Sequence, residues 1–305
     1  MLPKPPPREP SVGFLYLPPY RIVGTSIAGE ATSVMIPELD VVFDLGICPR
    51  AMLPAKYAVI SHGHMDHIGG LAYWCSQRHF QGMGVGNIVC SKHIAPAITK
   101  MMEGYVELER QKTPFKIIAL EDEEPLQIKN NIFLKAFPLE HAGPTHGFSI
   151  VEKRSKLKTE LQGMPQEKLM ELKAKGQEIT NSHEVPLVAY ITDTGACPNL
   201  VREDVRRAQV LIGECTFFED ENQDRADVGK HLHVKQFCEW VKVCENQHVV
   251  VIHVSRRTNL QTVRDELFAK LGTAVNRRIE ILMDHKHNRE RYERQLAEAG
   301  VSTTR

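Results

Sequence analysis

The sequence lacks any apolar run approaching the roughly 18 to 20 residues that a membrane-spanning helix needs, so no such span is expected. It also lacks net charge, since 38 Lys and Arg offset 38 Asp and Glu. That balance excludes a protein that coats itself in nucleic acid through bulk charge; a polyanion would have to be held by a local basic patch or by bound metal. There is no C-x-x-C pair. The seven cysteines (Cys48, Cys75, Cys90, Cys197, Cys215, Cys238 and Cys244) are odd in number and scattered, which indicates neither a disulfide framework nor a thiolate zinc site. Buried, reduced thiols are the expectation. The start, MLPKPPPREP, has no signal-peptide apolar core and no Arg/Ser-rich amphipathic pattern. Residues 1–12 therefore read as a short, disordered, proline-rich leader, and the compartment as cytoplasmic.

What is present is ordinary for a globular chain: 42% hydrophobic and 25% charged residues among 305. Strand-like runs at 40–45, 56–60, 87–90, 117–120, 132–137, 148–151, 186–191, 209–212, 248–252 and 279–283 alternate with helical stretches at 69–81, 93–105, 234–244, 260–271 and 288–299. No solenoid-length repeat interrupts them. Many short strands with interspersed helices predict one α/β domain over residues 13–305, its sheets covered by helices. Residues 152–183 differ: they are dense in lysine and almost free of aromatic and β-branched residues. Charge alone reads that stretch as a solvated helical hairpin.

The chemistry begins at Ser61-His62-Gly63-His64-Met65-Asp66-His67. Four ligand-type side chains fall within six residues, in a glycine-bearing loop after the strand Tyr57 to Ile60. Neutral imidazole and carboxylate are the nitrogen and oxygen ligands zinc accepts, although iron or manganese would accept them too. Adjacent Asp66 and His67 point in different directions, which favours two ions over one.

The motif H-x-H-x-D-H in a strand-loop-helix setting resembles that of the metallo-β-lactamase superfamily. The resemblance implies an αβ/βα four-layer sandwich with metals at the strand ends. It also implies further ligands, and His141, Asp193 and His253 each follow a strand in the expected order. By that resemblance His62, His64 and His141 would bind one zinc, Asp66, His67 and His253 the other, and Asp193 would bridge them.

Within the superfamily, four segments are similar to the short form of ribonuclease Z, the tRNA 3′-processing endonuclease family. They are SHGHMDHIGGL, the Glu214-Cys215-Thr216-Phe217 segment, a histidine in GKHLHV, and His253-Val254-Ser255-Arg256-Arg257. The chain departs from the family pattern at Thr192, where glycine is usual, and at Val254, where phenylalanine is usual. The resemblance implies a zinc-dependent phosphodiesterase that removes the 3′ trailer of precursor tRNA through a metal-bridged hydroxide. Asp66 would orient the nucleophile, and Glu214 with His231 would protonate the leaving oxygen, with His233 competing for the same role. Asp44, at the end of DVVFD, is a candidate hydrogen-bond partner behind a ligand, with an ordinary strand-end turn residue as the alternative. The lysine-rich stretch corresponds to the family's inserted arm, so Lys153, Arg154, Lys156, Lys158, Lys168, Lys173 and Lys175 would contact RNA. A homodimer is implied as well. The competing readings are a small-molecule phosphodiesterase or thioesterase of the same fold, and a catalytically silent RNA-binding member.

Overall fold

A computed structural model describes residues 2–9 and 11–301. Two seven-stranded sheets face each other. The first runs in sequence order: β1 (Gly13–Leu17), β2 (Tyr20–Ile27), β3 (Ala31–Ile36), β4 (Val41–Phe43), β5 (Tyr57–Ile60), β6 (Gly86–Ser91) and β7 (Phe115–Leu120). The second holds β8 (Leu126–Lys129), β9 (Ile132–Glu140), β10 (Pro144–Leu157), β11 (Thr180–Ile191), β12 (Val210–Glu214), β13 (His248–Ile252) and β14 (Ile279–Ile281), again in order. Within each sheet an antiparallel meander passes into parallel strands. The parallel strands β4, β5 and β12 are buried along their whole length, because helices cover one face and the other sheet covers the second.

Three apolar layers follow. Between the sheets, Leu15, Ile22, Val34 and Val59 meet Ile150, Val188, Ile212 and Val250. Phe43 stacks on Tyr190 there with centroids 4.4 Å apart. Outside the first sheet lie α2 (Leu71–Phe80) and α3 (Ala95–Glu109), which bury Trp74, Cys75, Ile98 and Met102. Outside the second, after the short α5 (Glu203–Arg206) and α6 (Gln223–Gly229), lie α7 (Val234–Lys242) and α8 (Leu260–Asn276), which bury Phe237, Trp240, Val263 and Leu267. This is the αβ/βα sandwich that the motif implies. The last helix, α9 (His285–Glu298), returns to the first sheet: Tyr292 meets Phe14 edge-on at 5.4 Å, and Arg291 donates to the Tyr16 carbonyl at 2.8 Å. Residues after 260 thus supply outer helices, and β14 as well.

All seven cysteines are free, and five are buried. The proline-rich segment read as disordered lies along the body between residues 2 and 9. Lys4 pairs with Glu38 at 2.9 Å, and the Glu9 carboxylate accepts from the Arg50 and Ala51 amides at 2.9 Å each. The lysine-rich stretch is not a helical hairpin. β10 and β11 continue past the sandwich as a two-stranded stalk, paired as far as Leu157 and Thr180. One short helix, α4 (Gln166–Ala174), sits beyond the stalk with no buried residue. Long chains of cross-strand hydrogen bonds inherited from the core strands override the weak strand propensity of this lysine-dense sequence.

Candidate metal centre

Strand ends build the site. β5 delivers Ser61 and His62; α1 (Met65–Ile68), which follows at once, carries Asp66 and His67, with His64 at its N-cap. His141 follows β9, Asp193 follows β11, Glu214 ends β12, and His253 follows β13. One ligand-type atom from each of His62, His64, His141 and Asp193 falls within 4.8 Å of the others, and Asp66, His67 and His253 form a second such group. Asp193 lies between the groups. Its Oδ2 is 3.8 Å from His62 Nε2, 3.8 Å from His141 Nε2 and 3.4 Å from His67 Nε2, while its Oδ1 is 3.3 Å from His253 Nε2. Asp66 Oδ2 is 3.6 Å from His67 Nε2 and 3.7 Å from His253 Nε2.

The imidazoles test whether a metal fits. Each of four rings is held on its far side through Nδ1. His67 donates to Asp44 Oδ2 at 2.9 Å, and His141 to the Lys230 carbonyl at 3.1 Å. His62 donates to Ser61 Oγ at 3.0 Å, since that hydroxyl gives its own proton to Asp44. His253 donates to Thr216 Oγ1 at 2.9 Å, whose proton goes to Glu214 Oε2 at 2.7 Å. On the near side, His62 Nε2, His67 Nε2 and His253 Nε2 are buried with no hydrogen-bond partner among the described residues. A buried polar atom left unpaired costs about 1–3 kcal/mol. Three of them converging on two carboxylates, each ring fixed by an outer acceptor, is the arrangement a metal ligand requires.

The electrostatics divide the imidazoles and keep the carboxylates charged. Burial, helped by His67 nearby, pushes His62 down to about 3, so it is the neutral imidazole that ligation needs. Burial also lowers His141. For His67 burial works downward, but Asp193 and Asp44 outweigh it and raise the imidazole well above its usual range. The carboxylates are ionised. Burial would raise Asp66, yet the close approach of the His253 imidazole and the charge of His67 bring it to about 2. Asp193 likewise falls well below the usual range, because His253 and His67 outweigh its burial.

Residues 46–254 match the family described as beta-lactamase superfamily domain. The tRNase Z TRZ1 of Arabidopsis thaliana is 30% identical over 253 residues, which are 82% of this chain and 90% of that protein. The chain belongs to the tRNase Z family. It is a metal-dependent hydrolase of ribonuclease Z type. Two solved structures share its fold. The metallo-beta-lactamase fold protein YhfI from Bacillus subtilis has a TM-score of 0.59 at 16% identity, covering 88% of this chain and 95% of that one. The short form of human tRNase Z has a TM-score of 0.55 at 20% identity, covering 81% and 93%.

In this tRNase Z family member, the two histidines that compete for one role have separate surroundings. His231 Nδ1 donates to Glu214 Oε1 at 3.2 Å, and its ring lies 5.2 Å from that of His253 and 5.0 Å from that of His141. Glu214 is fully buried and is fixed by the Thr194 amide at 2.8 Å as well as by Thr216. Burial opposes protonation of His231, but the Glu214 hydrogen bond and charge prevail and raise it to about 9. His233 is occupied elsewhere. It caps α7, accepting from the Lys235 amide through Nδ1 at 3.3 Å and donating to the Glu219 carbonyl through Nε2 at 3.2 Å.

The arm residues are spread along the stalk and α4. Arg154, Lys156, Lys168, Lys173 and Lys175 are exposed, and Lys153 and Lys158 are half-buried. Arg154 pairs with Glu152 at 2.6 Å, and the Lys153 ammonium lies 4.4 Å from the centre of the Phe133 ring. Of the outer acceptors, the sequence pointed to Asp44 alone, and the Lys230 carbonyl, Ser61 and Thr216 were not anticipated. Asp44 takes the place behind the ligands that the sequence offered it: it accepts from the Ser61 amide and hydroxyl, His67 Nδ1 and the Tyr190 hydroxyl. Its φ of +54° and that of His253, +59°, put both residues in the left-handed region, where a non-glycine residue is strained and functional sites collect.

Proposed function

We propose that this protein is a zinc-dependent endoribonuclease that removes the 3′ trailer of precursor tRNA in the cytosol. His62, His64 and His141 would hold one ion and Asp66, His67 and His253 the other, with Asp193 within reach of both groups. When bound, the two ions supply Lewis acidity toward a phosphoryl oxygen and bring the pKa of water toward about 7. The carboxylate of Asp66, ionised and partly open to solvent, accepts a hydrogen bond from the attacking water and orients it. Glu214 keeps His231 in its protonated form and sets the ring through Nδ1, which leaves Nε2–H to protonate the departing 3′ oxygen of the RNA. The amide of Thr194 and the hydroxyl of Thr216 hold Glu214 in turn.

The observation that carries this reading is the Glu214–His231 pair, set beside the metal cluster in a chain of the tRNase Z family. A thioesterase of the same fold needs no such proton donor. The exposed basic side chains of the arm supply phosphate contacts, which recognise the shape of a folded RNA rather than its sequence. We read the assembly as a homodimer in which the arm of one protomer reaches RNA held by its partner. The test is to offer the zinc-loaded protein a 3′-extended tRNA, a cyclic nucleotide and a thioester. Cleavage of the tRNA at the trailer junction is expected, and turnover of the thioester or the cyclic nucleotide alone would overturn the reading.

A further inference from the structure

The strands of the first sheet carry hydroxyls where a buried strand would ordinarily carry apolar side chains. Ser26 and Thr32 face each other across the β2–β3 ladder, and both are essentially inaccessible. Their hydroxyls bond to each other at 3.1 Å. Ser26 Oγ also accepts the main-chain N–H of His253 at 2.9 Å. That bond crosses from the first half of the chain to the second, and it ends on a ligand residue whose backbone is left-handed. Neighbouring contacts reinforce the crossing: the Ala28 amide donates to the Val254 carbonyl at 3.2 Å, and the Ser26 amide to Met283 Sδ at 3.4 Å.

Thr32 reaches the opposite wall. Its carbonyl accepts from the Gly46 amide at 2.9 Å, and the preceding amide, that of Leu45, donates to the His67 carbonyl at 2.7 Å. No side chain is tolerated at Gly46, because a Cβ there would lie 1.8 Å from the Asp66 carbonyl oxygen. The hairpin end is therefore in contact with both walls of one cluster: His253 through Ser26, and the Asp66–His67 turn through Thr32 and the 45–46 segment. The His62, His64 and His141 group has no such link to it among the described residues.

We propose that the Ser26 hydroxyl is a positioning group that sets His253 against Asp66 and His67, and so controls the affinity of that one metal position. The inference rests on the two-metal reading above. Without the hydroxyl, the His253 amide loses its acceptor and the left-handed turn loses the bond that holds it, so the Nε2 atom moves relative to its co-ligands. Outer groups that orient metal ligands change affinity by about 10- to 100-fold.

The experiment is a chelator titration of the zinc-loaded protein, counting zinc released per chain. Wild type is expected to hold two equivalents. Ser26→Ala should release one equivalent at chelator concentrations about 10- to 100-fold lower, and the other at the wild-type concentration. Ser26→Thr, which keeps the hydroxyl, should restore the wild-type curve. Thr32→Val, which removes only the hydroxyl behind Ser26, should shift the same equivalent by less. Ser149→Ala is the control for loss of a buried hydroxyl elsewhere, since Ser149 bonds Asp204 away from this cluster. An unchanged Ser26→Ala curve, or a shift of both equivalents together, overturns the inference while leaving the two-metal reading intact. Fewer than two equivalents in wild type overturns both.

Discussion

Replacing Asp44 with asparagine changes one atom and should disable one metal position. Asp44 is fully buried, and its Oδ1 accepts from the Ser61 amide at 2.8 Å, a bond that the asparagine oxygen retains. Its Oδ2 accepts from His67 Nδ1 at 2.9 Å, from Ser61 Oγ at 2.8 Å and from Tyr190 at 2.8 Å. An NH2 group in that place cannot accept. The Ser61 hydroxyl has Oδ1 as a second acceptor at 2.9 Å, and the tyrosine oxygen can turn to accept from the new amide. His67 has no such escape. To meet the amide, its Nδ1 must become the acceptor, which puts the proton on Nε2, the atom that faces Asp66 and Asp193. Losing the charge-assisted bond to His67 should cost about 1.5–3 kcal/mol, with the tyrosine bond largely re-formed. The wrong tautomer should also cost about 10- to 100-fold in metal affinity. Urea denaturation of the metal-free variant reads the first quantity, and chelator competition the second. A variant with wild-type values in both would refute the reasoning that Asp44 selects the His67 tautomer.

Further outcomes follow from the same geometry. Glu214→Gln and His231→Ala should each slow tRNA cleavage by about 10²- to 10⁴-fold, and the double variant should lose little more, because the pair acts as one proton donor. Additive losses in single-turnover rates would break that link. Since Glu214 lifts His231 to about 9 in the metal-free site, the proton-donating form persists through neutral pH and is lost as pH rises through that value. The cleavage rate should therefore fall on the alkaline side, and Glu214→Gln should move the fall to lower pH. His233→Ala should leave the rate near wild type while costing about 1 kcal/mol of stability through the lost α7 cap; a large rate loss with unchanged stability would transfer the donor role to His233. Changing Lys168, Lys173 and Lys175 to Ala should weaken tRNA binding and make it less sensitive to salt, lowering the log–log slope by up to about 0.9 for each phosphate no longer neutralised. An unchanged slope would remove α4 from the RNA surface.

The parallel strands were readable as uninterrupted apolar runs because both of their faces are covered. The metal motif was readable because its ligands crowd into one loop. The β1–β3 meander was not, and the reason is chemical. Ser26, Thr32 and Ser33 are buried hydroxyls that interrupt the apolar pattern, and what justifies them lies far along the chain, at His253 for Ser26 and at Ile47 for Ser33. Asp44 was legible as a candidate partner behind the ligands, but which groups it holds was not, since they sit at 61, 67 and 190. The Glu214–His231 contact could be placed only by resemblance, because the seventeen positions that separate them carry no local period. The arm misled in the other direction: its composition suits a helix, while its register is dictated by strands rooted in the core.

That rooting makes the arm a measuring device. β10 starts three residues after His141, and β11 ends two residues before Asp193. The ladder that projects from the body is thus anchored, strand by strand, on two of the side chains at the centre. Its outgoing strand is 14 residues long, about 45 Å at the usual rise of a β-strand. Unlike a tethered coil, a paired ladder keeps its length under thermal motion. An RNA gripped beyond the stalk, as proposed above, would consequently be held at a set distance from the bond to be cut, and the place of cutting would be reckoned from the folded body of the RNA, without any base at the junction being read.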